Sequence, residues 1–514
     1  MGKEKYEQIR AYLDSFINYE KKEWFSYKKS LKLERVEILL KKLNVSYGEL
    51  KVIHIAGTKG KGSTVTFIAY ILACSGYKVG IYTSPHFFDF RERIKVVSRE
   101  NSVVRSQMIS KKEVVRIVEE FKPYLEKMRF TKEWGKLSFF EVYTAIAFEY
   151  FGRQNLDFVV LETGLGGRLD ATNVIKNPLM VCITHIGYDH TDKLGKRLVD
   201  IAYEKSMIVK EKVPVVCSFQ RSSVEKVIRR RCREVGAEVY FLGKEFSFSN
   251  VRFRRDYTFF DFSFQSFHLR NLRIQLKGPH QVENASLAIL GVHLLEREKV
   301  LPKKKVNFYE GLKQAFIEGR FEICPIRRVP FSKEKEETQI IGKKVVWAES
   351  SWGEKRISFF PSQQVNLLKS RKVNFSLKEE SVTTSGYTRG PLIVLDIAHN
   401  PSSFAALSES LKIYFPKRKV VLIFASSKGK DVKKELKKID FYKIILTSFA
   451  NPRSLLPEEI KNLCNLKNAI LCPTVKEALE LVFKFYNNKS FLTLITGSLY
   501  LVAEAKIFLR KCLN

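Results

Sequence analysis

Paired cysteines are missing from this sequence. Its cysteines lie at positions 74, 182, 217, 232, 324, 464, 472 and 512, and no two have C-x-x-C spacing. That pattern argues against a disulfide framework or a zinc cluster and points to a reducing, cytoplasmic setting. No window reaches the ~18 uninterrupted apolar residues of a membrane span. The N-terminus, MGKEKYEQIRAYLDSF, has no apolar leader, and Tyr6 stands where a myristoylation signal needs Ser or Thr. No internal repeat is present. Acidic side chains are the scarce sign: 55 Asp and Glu face 90 Lys and Arg, a formal charge of +35. Such an excess suits anionic ligands. Lysines are nevertheless spread along the whole chain, and a generally lysine-rich composition is the plainer account. Zinc-finger, aromatic–glycine RNA and basic-zipper signatures are all missing, so neither nucleic acid nor a membrane is an expected partner.

What is present is length and alternation. At 514 residues, with 45% hydrophobic content, the chain is longer than one core usually serves, so two or three domains are expected. Residues 1–50 read as helices, with SLKLERVEILLKKL apolar at helical spacing. From 51 to 217 short apolar strands (VIHIAG, KVGIYTS, DFVVLE, LMVCITHI, PVVCS) alternate with helical stretches, the pattern of a parallel sheet covered by helices. Residues 245–276 switch to period-two alternation with aromatics and predict antiparallel hairpins, followed by helices at about 280–297 and 303–317. GRFEIC opens a new unit. In it LIVLDIA, KVVLIFA, YKIILTS, NAILC and FLTLITG predict a Rossmann-like, doubly wound fold. The expected class is therefore α/β: a phosphate-loop ATPase-type domain at 1–318 with a small antiparallel part, then a C-terminal domain at 319–514. Residues 325–390 are polar and mixed in charge, and read as an insertion into the second domain.

The stretch HIAGTKGKGST carries the first chemical signal. Glycines after a buried strand let backbone N–H groups converge on an anion, and the next helix offers its positive N-terminal end. Lys61 would sit against β- and γ-phosphates, with the Ser63 and Thr64 hydroxyls available to Mg²⁺ or phosphate. The loop departs from G-x-x-x-x-G-K-[ST], since Ile55 stands at the first Gly and Gly62 at the hydroxyl position. Glu162 ends the strand DFVVLE, where open α/β sheets place ligands, and suits a Mg²⁺ carboxylate. Asp189 and His190 end the next strand, ahead of a helix carrying Lys205, so a second metal position is reasonable there.

Together the blocks HIAGTKGKGST, YTSPH, FFEVYTAIAF, LETGLGGRLDATN, IGYDHTDKLG, GPHQVENASLAI, GRFEI, LDIAHNP, NPRS and GSLYLVAEA resemble the folylpolyglutamate synthase/dihydrofolate synthase family of the Mur ligase superfamily, in family order along nearly the whole chain. The superfamily's own loop, G-T-N-G-K-[GTS], accounts for the misfit. The resemblance implies an ATP-dependent ligase joining L-glutamate to a folate or dihydropteroate carboxylate; a Mur-type ligase acting on another carboxylate is the alternative. It implies Gly57, Thr58, Lys59, Gly60, Lys61, Gly62, Ser63 and Thr64 around the ATP phosphates. Asn284, Arg320, Asp396 and His399 are implied as further nucleotide contacts. One Mg²⁺ is implied at Ser84 and Glu162 and a second at His190, supported by Lys205, which matches a carbamylated lysine. Lys61, Glu162, His190 and Lys205 form the expected catalytic set, and Asp170 lies on the pterin side. GGRLDATN is similar to the form found in bacterial bifunctional members. A monomer is expected.

Several residues depart from the family pattern. Lys59 replaces an Asn in the loop, Ser206-Met207 replaces Ala-Gly after Lys205, and Ile397 replaces Gly in D-G-A-H-N. Gly429 replaces the first Asp of D-K-D, and Glu318 replaces a Pro before Gly319. Lys59 adds a charge beside the phosphates.

Overall fold

A computed structural model describes residues 3–20, 25–130, 136–254, 256–301, 305–325, 392–486 and 488–513. Apart from Pro325, the expected insertion at 325–390 lies outside the described residues.

The first sheet has eight strands: β1 (Val52–Ala56), β2 (Val79–Tyr82), β3 (Ile94–Glu100), β4 (Val103–Met108), β5 (Phe158–Glu162), β6 (Met180–Ile183), β7 (Val215–Cys217) and β8 (Val239–Phe241). Their order is β4-β3-β2-β5-β1-β6-β7-β8. From β2 to β8 every pairing is parallel. β1, β2, β5, β6 and β7 are buried along their whole length, as strands covered on both faces must be. Helix Lys61–Cys74 is buried from Ser63 onward and packs against helices Pro279–Arg297 and Phe308–Gln314. The β3–β4 hairpin joins the edge antiparallel, an addition that the apolar-run reading missed. β4 reads VVRSQM and only Val104 within it is buried, so no apolar run marks it.

The expected hairpins form a three-stranded antiparallel sheet of β9 (Phe246–Phe253), β10 (Thr258–Phe264) and β11 (Phe267–Ile274), in the order β11-β10-β9. A third sheet holds β12 (Glu322–Pro325), β13 (Leu392–Leu395), β14 (Lys419–Phe424), β15 (Lys443–Leu446), β16 (Ile470–Leu471) and β17 (Phe491–Thr496). It runs β12-β13-β17-β14-β15-β16, parallel except for β12 at the edge. Ile393 and Leu395 face one apolar cluster and Leu392 and Val394 another, which is how a sheet covered on both faces reads. Among the described residues no helix is long and apolar enough to cross a membrane.

Candidate active site

The C-terminal ends of β1, β5, β6 and β13 open onto one cleft of about 2840 Å³. Thr58 to Ser63, Ser84, Glu162, Asp170, His190, Asn284, Arg320, Asp396 and His399 all line it. Gly57, Thr64 and Lys205 do not; they lie behind the wall.

The loop after β1 is held from beneath. The Thr58 and Lys59 N–H groups donate to the His185 carbonyl at 2.9 and 3.3 Å, and the Thr58 hydroxyl donates to Gly187 O at 3.2 Å. Thr58 thus braces the loop. Lys205 Nζ donates to Gly57 O at 2.8 Å. Burial first, and then Lys61, push the Lys205 amine down to about 7. A Cβ on Gly57 would meet Thr184 Oγ1 at 1.8 Å. Gly60 has φ +91, and a Cβ there would meet Asn284 Oδ1 at 2.2 Å, so Asn284 closes directly over the loop. The Thr64 hydroxyl is turned back to Gly60 O at 3.0 Å, which leaves Ser63 as the hydroxyl facing the cleft.

Lys61 Nζ lies 3.6 Å from Glu162 Oε1, and Ser84 N–H donates to Glu162 Oε2 at 3.2 Å. Burial raises the Glu162 carboxyl; Lys61 and the Ser84 amide oppose it. Lys59 Nζ reaches Asp189 Oδ2 at 3.3 Å. Burial works against the Asp189 charge, but Lys59, His190, His399 and Lys430 hold that carboxylate well below its usual range. His190 has φ +49, and its Nε2 is 4.0 Å from Asp189 Oδ1. Burial takes the His190 imidazole down to about 4.

On the opposite wall Asp396 accepts from the Phe321 and Ala398 N–H groups at 2.9 and 2.8 Å, which ties the turn after β13 to Arg320. His399 Nδ1 lies 2.9 Å from Ile397 O and donates to it, leaving Nε2 as an acceptor. Burial, then Lys59 and Lys430, bring His399 down to about 3, so it is neutral. Asp170 accepts from Leu165 N–H (2.8 Å), Thr172 N–H (3.1 Å) and the Thr172 hydroxyl (2.6 Å), and shapes the glycine-rich loop.

Motif reading by residue missed His280, Gln281, Lys430, Arg453, Ser498 and Tyr500, which also line the cleft. Most stand inside quoted blocks (GPHQVENA, NPRS, GSLYLVAEA), so block membership was the available signal. Lys430 stands in the D-K-D block as its Lys, after the departing Gly429.

A Mur ligase middle domain model matches residues 140–292, and a Mur ligase glutamate ligase domain model matches 381–499. A solved folylpolyglutamate synthase from Thermotoga maritima is 30% identical with a TM-score of 0.73, covering 99% of this chain and 98% of that one. The chain belongs to the folylpolyglutamate synthase/dihydrofolate synthase family. The dihydrofolate synthase/folylpolyglutamate synthase of Bacillus subtilis is 29% identical over 480 residues, covering 92% of this chain and 94% of that protein. A Mycobacterium tuberculosis folylpolyglutamate synthase complexed with ADP and AMPPCP shares the fold at 22% identity and a TM-score of 0.74, with 98% of both chains covered.

The two metal positions implied for this folylpolyglutamate synthase family member fare differently. Ser84 and Glu162 offer a hydroxyl and a single buried carboxylate, which suits a Mg²⁺ that completes its shell with phosphate and water. The His190 position does not fit. Its nearest carboxylate, Asp189, is already held by the Lys59 ammonium, and Lys205 Nζ is committed to Gly57 O. Among the described residues no group of three or more His, Cys, Asp or Glu is placed to hold a metal.

Proposed function

We propose that the protein is an ATP-dependent ligase that adds L-glutamate to folates, and to dihydropteroate, through an acyl phosphate. The observation that carries this is Lys61 beside Glu162 at the phosphate loop, in one cleft with Asp170 on one side and Arg320, Asp396 and His399 on the other. We assign residues 57–64 and Asn284 to the ATP phosphates, and Arg320, Asp396 and His399 to the rest of the nucleotide. Asp170 is assigned to the pterin side.

A carboxylate is a poor electrophile because it is charged. Its attack on the γ-phosphorus gives an acyl phosphate and ADP. The glutamate amine then attacks the activated carbonyl, and phosphate leaves as the amide forms. Charge develops on phosphoryl oxygens throughout, and Lys61, Arg320 and the amides at the start of helix Lys61–Cys74 answer it without reorganising. Mg²⁺ held by Ser84 and Glu162 would neutralise β- and γ-phosphate oxygens. The His399 and His190 rings, neutral because burial lowers both, face the cleft without adding cationic charge.

A Mur-type ligase acting on a different carboxylate is not favoured, because the relatives matched along nearly their full length carry folate ligase names. We take residues 1–318 as the ATP-binding domain and 319–514 as its C-terminal partner, acting as a cytoplasmic monomer. Cys74, Cys182, Cys217, Cys232, Cys324, Cys464 and Cys472 are free thiols, which supports that reading.

Purified protein with ATP, Mg²⁺ and L-glutamate is expected to release phosphate only when a folate or dihydropteroate is added, with the glutamylated product seen by mass spectrometry. Lys61→Ala and Glu162→Gln should each lower the rate by about 100-fold or more. Phosphate release without an acceptor, or unchanged rates in both variants, would defeat the assignment.

A further inference from the structure

Lys59 was the unexplained residue of the phosphate loop, and the structure gives it a position of its own. We propose that its ammonium takes the place of a second divalent cation on the His190 side of the loop, so that nucleotide enters this site with one Mg²⁺. The inference rests on the ATP-binding reading above.

Three observations carry it. First, Lys59 links the loop after β1 to the loop after β6, on one wall of the cleft. Its N–H shares the His185 carbonyl with Thr58, which fixes its backbone, and its Nζ reaches across to Asp189 Oδ2 at 3.3 Å. A lysine ammonium is a compact, strongly hydrated point charge, the side chain closest in kind to a small bound cation.

Second, the donors that a second metal would need are already engaged. Asp189 Oδ2 holds Lys59, and Asp189 Oδ1 accepts the His190 N–H at 3.1 Å. The His190 ring lies 4.0 Å from that carboxylate. Lys205 Nζ points to Gly57 O at 2.8 Å and supports the loop backbone. At the Ser84 and Glu162 position Lys61 stands farther off, 3.6 Å from Glu162 Oε1, while Oε2 accepts the Ser84 N–H at 3.2 Å, and both residues line the cleft.

Third, this side of the loop already carries covalently placed positive charge. Burial lowers the Lys59 ammonium and Asp189 opposes that, with Lys61 and Arg320 as further positive neighbours; at Lys205 burial is followed by Lys61, with Asp189 and Asp170 opposing and Lys59 adding to the positive side. Lys59 holds its charge there without recruiting an ion from solution.

The test counts metal rather than turnover. Mn²⁺ stands in for Mg²⁺, and bound Mn²⁺ is quantified by electron paramagnetic resonance on the full chain saturated with a non-hydrolysable ATP analogue. One Mn²⁺ per chain is expected. Lys59→Asn should raise the count to two, and Lys59→Arg, which keeps the charge, should leave it at one. Two Mn²⁺ per wild-type chain, or one in Lys59→Asn, overturns the inference while leaving ATP binding intact. Failure of the wild-type chain to bind the analogue overturns this inference and the nucleotide reading together. Should Lys59→Asn not fold, the wild-type count decides by itself.

Discussion

Both carboxylate oxygens of Glu435 are buried without a hydrogen-bond partner among the described residues, and burial pushes the group from 4.5 up to about 7, with Lys430 opposing. Between those two values the folded chain keeps a proton that the unfolded chain loses. Burying Glu435 is therefore least costly below pH 4.5, and the stability it allows is lost as pH rises through 7. Glu435→Gln is expected to abolish that slope and to stabilise the protein by about 2 kcal/mol at pH 8. Urea denaturation at pH 5 and pH 8 measures it, and matching pH profiles for the two proteins would refute it. Lys61, Glu162, Asp396 and His399 could be picked out in the sequence as cleft residues, because each stands in a recognisable block at or just after a buried strand. The partners of Lys59 and Lys205 were not legible. Asp189 and Gly57 are remote from them in the sequence, and only packing brings them within hydrogen-bonding or ion-pairing distance.

The phosphate loop is the element with the least room for change. Gly60 combines a left-handed backbone with Asn284 pressed over its missing side chain. Gly60→Ala must shift Asn284 and strain the turn, at about 1–3 kcal/mol, so affinity for a non-hydrolysable ATP analogue should fall about 10- to 100-fold. Calorimetric titration checks this, and wild-type affinity in the variant would count against it. The strand–loop–helix unit was legible because buried parallel strands read as short apolar runs and glycines punctuate them. The β3–β4 hairpin was not. It lies at the sheet edge with β4 largely exposed, so its sequence carries no buried run to find.

At the scale of the whole molecule, Tyr414, at the end of helix Pro401–Tyr414, reaches the small antiparallel sheet. Its hydroxyl lies 2.8 Å from Thr258 Oγ1 and accepts from Gly278 N–H at 3.4 Å, and its ring packs against Phe253 and Phe321 at centroid distances of 5.8 and 5.6 Å. Phe253, Phe321 and Ile413 beside it line the cleft, so this contact is placed to help hold the cleft walls together. Tyr414→Ala should loosen that register. A larger radius of gyration in X-ray scattering and faster limited proteolysis between the two parts are expected. Identical scattering and cleavage rates would show that other contacts suffice.

Local pattern alone determined the α/β class, the parallel strands, the phosphate loop and the family, because each is written in short contiguous blocks. Tertiary structure decided which side chains meet. It spent Thr58 on bracing, put Lys205 under the loop and paired Lys59 with Asp189. The physical reason is that an ion pair or hydrogen bond depends on separations of a few ångströms between groups more than a hundred residues apart. Only the packed sheets and helices set those separations.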